Sequence, residues 1–137
     1  MALNRHGDAR RVIVLLDANA LMMPAQFGVD IFAELTGLLG SCEPATFPCV
    51  RAELAGISRG KGKDAAAARV GIALADRCTT IGDPFPDLPV DEQIARYAEA
   101  SGCPVLTNDR GLRTILVRLG VPVIVMRKQK KLEILRG

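Results

Sequence analysis

The sequence lacks almost all the side chains that enzymes commonly use for nucleophilic and acid–base chemistry. His6 is its single histidine among 137 residues, and it lies in the charged stretch that opens the chain. A serine or cysteine nucleophile needs a neighbouring base, most often histidine. We therefore find no Ser–His or Cys–His pairing, and no histidine placed to act as a general base.

Closely spaced cysteine pairs are also absent. The four cysteines, Cys42, Cys49, Cys78 and Cys103, are scattered and form no CxxC motif. A structural zinc site normally needs such pairs, with histidines as further ligands. We interpret the cysteines as small core residues of a protein in a reducing compartment.

Long apolar runs are missing as well. The run VIVLL at 12–16 is far too short to span a bilayer. The opening MALNRHGDARR has no apolar segment of the kind found in signal peptides. These features predict a cytoplasmic protein with no membrane partner.

Aromatic residues are few, with no tryptophan and one tyrosine, so few side chains could stack on nucleic-acid bases. The net charge of +3 is modest but unevenly distributed, with basic clusters at 10–11, 59–63 and 127–131. Such clusters can contact phosphates, or they can simply keep the surface soluble. Any nucleic acid would be held mainly through its backbone.

Short apolar segments alternate with amphipathic ones, which predicts one α/β domain on a parallel sheet. The predicted strands are 11–19, 45–48, 78–83, 104–108 and 121–126, and the predicted helices are 30–40, 49–60, 64–77, 91–102 and a segment from 109. Loops are expected around Pro24 and at 59–63 and 83–89. The whole chain, 1–137, forms the domain, with an N-terminal arm at 1–10 and a basic, extended tail at 127–137.

Two acidic residues follow predicted strands. Asp17 ends the first strand in LLDAN, and Asp109 ends the fourth in LTNDRGL. Ligands of parallel α/β sheets collect beyond the carboxyl ends of the strands, where the strand order reverses. Each acid also has an ordinary explanation, since Asp17 could form an Asx-turn and Asp109 could cap the helix whose apolar stripe is Leu112, Ile115, Leu116 and Leu119.

Two further acids lie on predicted helices. Glu53 is on or beside the buried stripe of its helix, three residues after Val50 and four before Ile57. Asp91 opens its helix on the side of Ile94. Glu53 could instead extend to water from the edge of the stripe, and Asp91 could be a plain cap.

The shared direction of these acids is the informative feature. Converging carboxylates repel one another and are driven towards their protonated forms. A divalent cation removes that conflict, and Mg²⁺ or Mn²⁺ prefers carboxylate oxygens and commonly bridges them to substrate phosphate. If the acids do converge, the chemistry would be metal-based hydrolysis of a phosphodiester.

The motifs LLDAN, PCVRAEL, DEQIARYA and LTNDRGL, in this order, resemble those of PIN-domain nucleases. The resemblance covers about residues 11–125, and the ending from 107 is similar to archaeal PIN proteins related to ribosomal-RNA processing endonucleases. It implies a three-layer α/β/α sandwich around a five-stranded parallel sheet.

The resemblance also implies functional residues. The catalytic and Mg²⁺- or Mn²⁺-binding acids would be Asp17, Glu53, Asp91 and Asp109, with supporting residues Asn19, Thr107 and Asn108. The activity implied is endoribonuclease cleavage, often by homodimers. Our candidates for phosphate contacts in RNA are Lys61, Lys63, Arg110 and Arg113.

The sequence is compatible with several roles. The basic tail favours processing of ribosomal RNA or its precursor, whereas the toxin of a toxin–antitoxin pair would need an antitoxin partner. A non-catalytic module that binds RNA or a ribosome-assembly factor is a third role. A phosphoacceptor domain fits poorly, because it needs paired acids after the first strand, and LLDAN has one.

Overall fold

A computed structural model describes residues 11–135, so the predicted arm at 1–10, with His6, and the last two residues lie outside the described part. The elements in chain order are β1 (Val12–Leu16), α1 (Ala18–Phe27), α2 (Ile31–Leu39), β2 (Cys42–Thr46), α3 (Pro48–Ser58), α4 (Lys63–Ala75), β3 (Thr79–Thr80), α5 (Val90–Ser101), β4 (Val105–Leu106), α6 (Arg110–Arg118), β5 (Val123–Arg127) and β6 (Lys131–Leu135).

The sheet confirms the predicted α/β class. Its strand order is β3-β2-β1-β4-β5-β6, and every neighbouring pair is parallel except β5 and β6. The chain leaves β1 for β2 on one side, while β4 pairs with β1 on the other through Leu15–Val105 and Leu16–Leu106. The strand order therefore reverses at β1, which places the expected ligand crevice beyond the ends of β1 and β4.

The sheet has six strands where the sequence predicted five. The segment that the sequence shows as a basic tail turns back at Lys128 and Gln129 and pairs antiparallel with β5. Both residues have positive φ, 55° and 57°. The sequence contains no glycine or asparagine at this turn, so the usual signal for a hairpin is missing.

The structure replaces the predicted loop around Pro24 by helix α1. The strand ends at Leu16, and Asp17 caps a helix in which Pro24 is an interior residue. Proline inside a helix costs about 3 kcal/mol, so its presence argued for a loop. The apolar face of α1, with Leu21, Met22 and Met23 buried, packs against α4 and outweighs that cost.

The apolar pattern of α6 differs in detail from the prediction. In α6, Leu112 and Leu116 are buried, but Ile115 and Leu119 are each 37% exposed. The α6 stripe is therefore narrower than the sequence indicated, because this helix contacts the rest of the molecule mainly through α5 and β5. No helix among residues 11–135 is long and apolar enough to cross a membrane.

Candidate active site

Asp17 is held at the junction of β1 and α1. Its Oδ1 accepts a hydrogen bond from the amide of Ala20 at 2.8 Å, which caps α1, and its Oδ2 accepts one from the Thr107 hydroxyl at 2.5 Å. The residue is buried, with 6% of its surface exposed. Asp17 is therefore a cap and a fixed carboxylate at the crevice at the same time.

The supporting residues predicted from the sequence form a connected polar network. The Thr107 hydroxyl, while donating to Asp17, accepts from the amide of Asp109 at 3.0 Å. The side chain of Asn19 accepts from the amide of Asn108 at 2.8 Å. Asn108 in turn exchanges two hydrogen bonds with the backbone of Met126 on β5, at 2.8 and 3.3 Å. The network thus links β1, β4 and β5 where the strands end.

Asp109 follows β4 and precedes α6. Its Oδ2 accepts from the amide of Leu112 at 2.8 Å, so it is the cap of α6 that the local sequence suggests. Unlike Asp17, it is exposed to solvent. Capping and lining the crevice are compatible roles here.

Glu53 and Asp91 reach the same place from two helices. Glu53 projects from α3 beside the buried Val50 and Leu54, and Asp91 lies in the first turn of α5. Both residues are exposed, so Glu53 lies at the edge of its apolar stripe rather than within it. The acid cavity, which we define by its lining residues, has a volume of about 150 Å³ and is lined by Asp17, Ala18, Asn19, Glu53, Asp91 and Asp109.

Burial, and after it mutual repulsion, raises the pKa of three of these acids, Asp17, Glu53 and Asp91. Burial is the largest cause that raises the pKa of Asp17, to about 7, and the charges of Asp91 and Asp109 raise it further. The pKa of Glu53 is raised by partial burial and then by Asp91 and Asp109. The pKa of Asp91 is raised by partial burial and then by Asp109. Among the described residues, no salt bridge joins any of the cavity acids to a lysine or arginine.

The donor set suits a hard divalent cation. It offers carboxylate oxygens from four residues around one small polar cavity, and none of these carboxylates is in a salt bridge within the described part. In residues 11–135, no group of at least three His, Cys, Asp or Glu side chains is already close enough to hold an ion. The cavity therefore brings suitable ligands together, but does not arrange them as a completed coordination shell.

The cysteines offer no alternative catalytic group. Cys42 and Cys103 are buried, and all four thiols are free. Burial, the largest cause in each case, raises the pKa of every one, to about 12 for Cys49 and to about 11 for Cys78. A reactive thiol requires a lowered pKa, so these cysteines are inert core residues.

The candidate phosphate contacts are not all near the acid cavity. Arg110 and Arg113 lie in the first turns of α6, directly after Asp109. Lys63 begins α4 and lines a different cavity between α1 and α4, and Lys61 is in the preceding loop. Neither the arginines nor the lysines line the acid cavity, although Arg110 directly follows Asp109 in the chain.

Sequence reasoning missed two polar residues that position the site. The Asp83 carboxylate accepts from the amide of Cys49 at 3.0 Å and so caps α3, which has no cap from its own preceding residue. Gln93, buried beside Asp91, donates to the carbonyl of Leu88 at 3.1 Å. Asp83 and Cys49 are 34 residues apart, so no local pattern could have revealed this contact.

Comparisons with known proteins agree with this architecture. The sequence matches the family described as PIN like domain over residues 14–129. The solved structure of the PIN domain endonuclease Utp24 superposes with a TM-score of 0.74 at 23% identity, covering 91% of this chain and 92% of that one. The crystal structure of PAE2754 from Pyrobaculum aerophilum gives a TM-score of 0.52 at 26% identity, with coverages of 80% and 97%.

None of the curated proteins matches the sequence. The family match nevertheless spans most of the chain and includes the acids at 17, 53, 91 and 109. Its span runs from β1 into the turn after β5. This chain belongs to the PIN-like domain family.

Proposed function

We propose that this protein is a metal-dependent endoribonuclease whose catalytic acids are Asp17, Glu53, Asp91 and Asp109. The observation that carries the proposal is the convergence of these carboxylates, from four separate elements, on one cavity at the reversal of strand order. PIN domains as a family are nucleases, which supports phosphodiester hydrolysis as the reaction. Utp24, which has the same fold, is an endonuclease.

Mg²⁺ or Mn²⁺ would be held by the cavity carboxylates, and when bound such an ion supplies activation of water and neutralisation of charge on the phosphodiester. The surrounding residues hold the acids and the nearby backbone in fixed positions. Thr107 holds the buried Asp17, Asn19 holds the backbone of Asn108, and the helix that Asp109 caps fixes the last acid. Because the pKa of Asp17 is about 7 without an ion, binding of a cation should release a proton near neutral pH.

We further propose ribosomal RNA or its precursor as the substrate class, based on the resemblance of the C-terminal part of the sequence to archaeal relatives of ribosomal-RNA processing endonucleases. A toxin role would instead require a cognate antitoxin that suppresses cleavage. We favour Arg110 and Arg113 as phosphate contacts, because they follow Asp109 in the first turns of α6. Lys61 and Lys63 stay predictions from charge alone.

The direct test is cleavage of a labelled ribosomal-RNA fragment with added Mn²⁺ by the wild type and by Asp109→Asn. Asparagine keeps the size and the capping ability of the residue but removes its charge. We expect the rate of cleavage to fall by at least about 100-fold. Loss of a residue that only hydrogen-bonds to a metal ligand already lowers metal affinity or activity about 10- to 100-fold. The matched control is Asp30→Asn, the same change at the cap of α2, where Asp30 accepts from Phe32 and Ala33.

A second measurement separates metal binding from turnover. Titration of Mn²⁺ by calorimetry should show weaker binding to Asp17→Ala than to the wild type. Equal binding would refute the metal site. Cleavage that is identical in the wild type and Asp109→Asn would indicate a contaminating nuclease, and RNA binding without cleavage under any metal would favour a non-catalytic module.

A further inference from the structure

The turn between β5 and β6 is a compact, strongly basic projection. We define the basic hairpin turn as residues 127–131, with the sequence RKQKK. Arg127 and Lys131 pair across the two strands, and the amide of Lys130 donates to the carbonyl of Arg127 at 3.0 Å. Every residue of the turn is exposed.

The basic hairpin turn lies at the same edge of the sheet as the acid cavity. β4 and β5 are parallel, with Leu106 opposite Ile124, so Asn108 is level with Met126. Two hydrogen bonds between the Asn108 side chain and the Met126 backbone hold these two residues side by side. The turn thus begins one residue beyond Met126, next to the strand end that carries Asp109, and neighbouring strands are only about 4.8 Å apart.

The charges of this turn are available to a ligand. Arg127 is paired with Glu133 at 2.8 Å. Lys128 and Lys130 make no salt bridge to any residue in the described part of the chain. Because both side chains are exposed, either lysine could donate to a phosphate without first breaking an ion pair within the described part of the chain.

The turn is also held in place before any partner binds. The Arg127–Glu133 ion pair joins its two strands, and Glu34 of α2 accepts from the amide of Leu132 at 3.2 Å. Lys128 and Gln129 have a left-handed backbone conformation, which residues other than glycine and asparagine seldom adopt. Left-handed backbone at residues other than glycine is energetically unfavourable, and it is often retained where it presents side chains to a ligand.

We propose that the basic hairpin turn binds the RNA backbone next to the bond being cut, with Lys128 and Lys130 as phosphate contacts on the β5 side of the acid cavity. Arg110 and Arg113, on the helix that Asp109 caps, would be further phosphate contacts. The turn has no aromatic residue, so it would bind phosphates and would not recognise individual bases. This inference rests on the proposed ribonuclease function.

The test is the salt dependence of binding to a labelled single-stranded RNA, measured by fluorescence anisotropy in EDTA so that no cleavage occurs. The variant is Lys128→Gln with Lys130→Gln. Each lost phosphate contact on a single strand reduces the slope of log K against log salt by about 0.7, so we expect a reduction of about 1.4. Affinity for Mn²⁺ should not change, because neither lysine lines the acid cavity.

The matched control is Arg96→Gln with Arg118→Gln, which removes the same charge from exposed positions on α5 and α6 that do not line the cavity. We expect its slope to stay near that of the wild type. An equal loss in both double variants would mean that only net charge matters, and would overturn the proposal. Single-stranded DNA of the same sequence should show the same loss in the lysine variant, since phosphates are common to both.

The failures of the two proposals are distinguishable. If the wild type cleaves RNA and the lysine variant keeps the full salt slope, the basic hairpin turn is not the contact, although the nuclease proposal stands. If the wild type neither binds Mn²⁺ nor cleaves RNA, yet the lysine variant loses RNA binding, the turn is a contact in a protein without turnover. If the wild type does not bind RNA at all, both proposals fail.

Discussion

At the scale of single residues, Asp17 shows how one carboxylate can serve the fold and the site while opposing stability. Its oxygens satisfy a helix amide and a threonine hydroxyl. Burial nevertheless raises its pKa from 3.8 to about 7. The folded state therefore holds a proton on Asp17 that the unfolded chain has already released at pH 6.

This difference predicts a pH-dependent stability. In EDTA, the contribution of Asp17 is fully present below about pH 4 and is lost as the pH rises through about 7, because ionisation is harder in the folded state. The free energy of unfolding should fall by up to about 4 kcal/mol over this range. Asp17→Asn should remove this part of the fall, as measured by urea denaturation at several pH values.

Mn²⁺ provides the control for the same prediction. An ion in the acid cavity favours the ionised carboxylate, so excess Mn²⁺ should stabilise the wild type more at pH 7.5 than at pH 5. The Asn variant should respond less. Parallel pH profiles for wild type and variant in EDTA would show that Asp17 ionises as easily in the folded state as in the unfolded chain.

At the scale of elements, α3 depends on a cap that it receives from elsewhere in the chain. Phe47 precedes the helix and offers no capping side chain, while Asp83 accepts from the amide of Cys49. The helix carries Glu53 one turn later. The loop that begins at Asp83 leads to α5 and Asp91, so one hydrogen bond ties together the supports of two site acids.

Asp83→Ala should therefore act on both stability and the site. We expect a loss of about 0.5–2 kcal/mol in the free energy of unfolding, as for other lost caps, together with weaker Mn²⁺ binding through displaced Glu53. Asp83→Asn retains a hydrogen-bond acceptor, so it should keep most of the stability and most of the Mn²⁺ affinity of the wild type. Asp87→Ala, an exposed position of the same loop, is the matched control. Equal behaviour of the two alanine variants would refute the capping role.

At the scale of the whole molecule, helices α1 and α4 pack closely around a glycine. A Cβ added at Gly71 would lie 3.1 Å from the carbonyl oxygen of Leu21 and 3.2 Å from the Leu54 side chain. The alanine-rich sequence of α4 predicts such close packing, and the small buried residues Ala67, Ala68 and Ala75 confirm it. This contact secures α1 behind Asp17, despite the proline within the helix.

Gly71→Ala should lower the free energy of unfolding by about 1–3 kcal/mol, as overpacking does. The matched control is Gly37→Ala in α2, where an added Cβ would meet nothing within 4 Å. There the better helix propensity of alanine should raise stability by about 0.5–1 kcal/mol. Thermal or urea denaturation of both variants measures the difference. A stable Gly71→Ala variant would mean that α1 and α4 can move apart without cost.

The class of fold and the positions of the candidate acids were accessible from the sequence, since apolar periodicity and strand-end acids are local patterns. Asp17 and Asp109 follow apolar strands, and Glu53 lies beside an apolar stripe, so their direction could be inferred without coordinates. The inference that Asp17 and Asp109 meet needed only the rule for parallel sheets, whereas Glu53 was added from its place beside an apolar helix stripe.

Helix α1, strand β6 and the capping by Asp83 were decided by tertiary structure. Pro24 argues locally against a helix, and only packing on α4 reverses that preference. Lys128 and Gln129 give no local signal for a turn, and β6 forms because β5 offers it an edge and α2 supports it. Local patterns record what a segment can bury, whereas these features depend on partners that are distant in the chain.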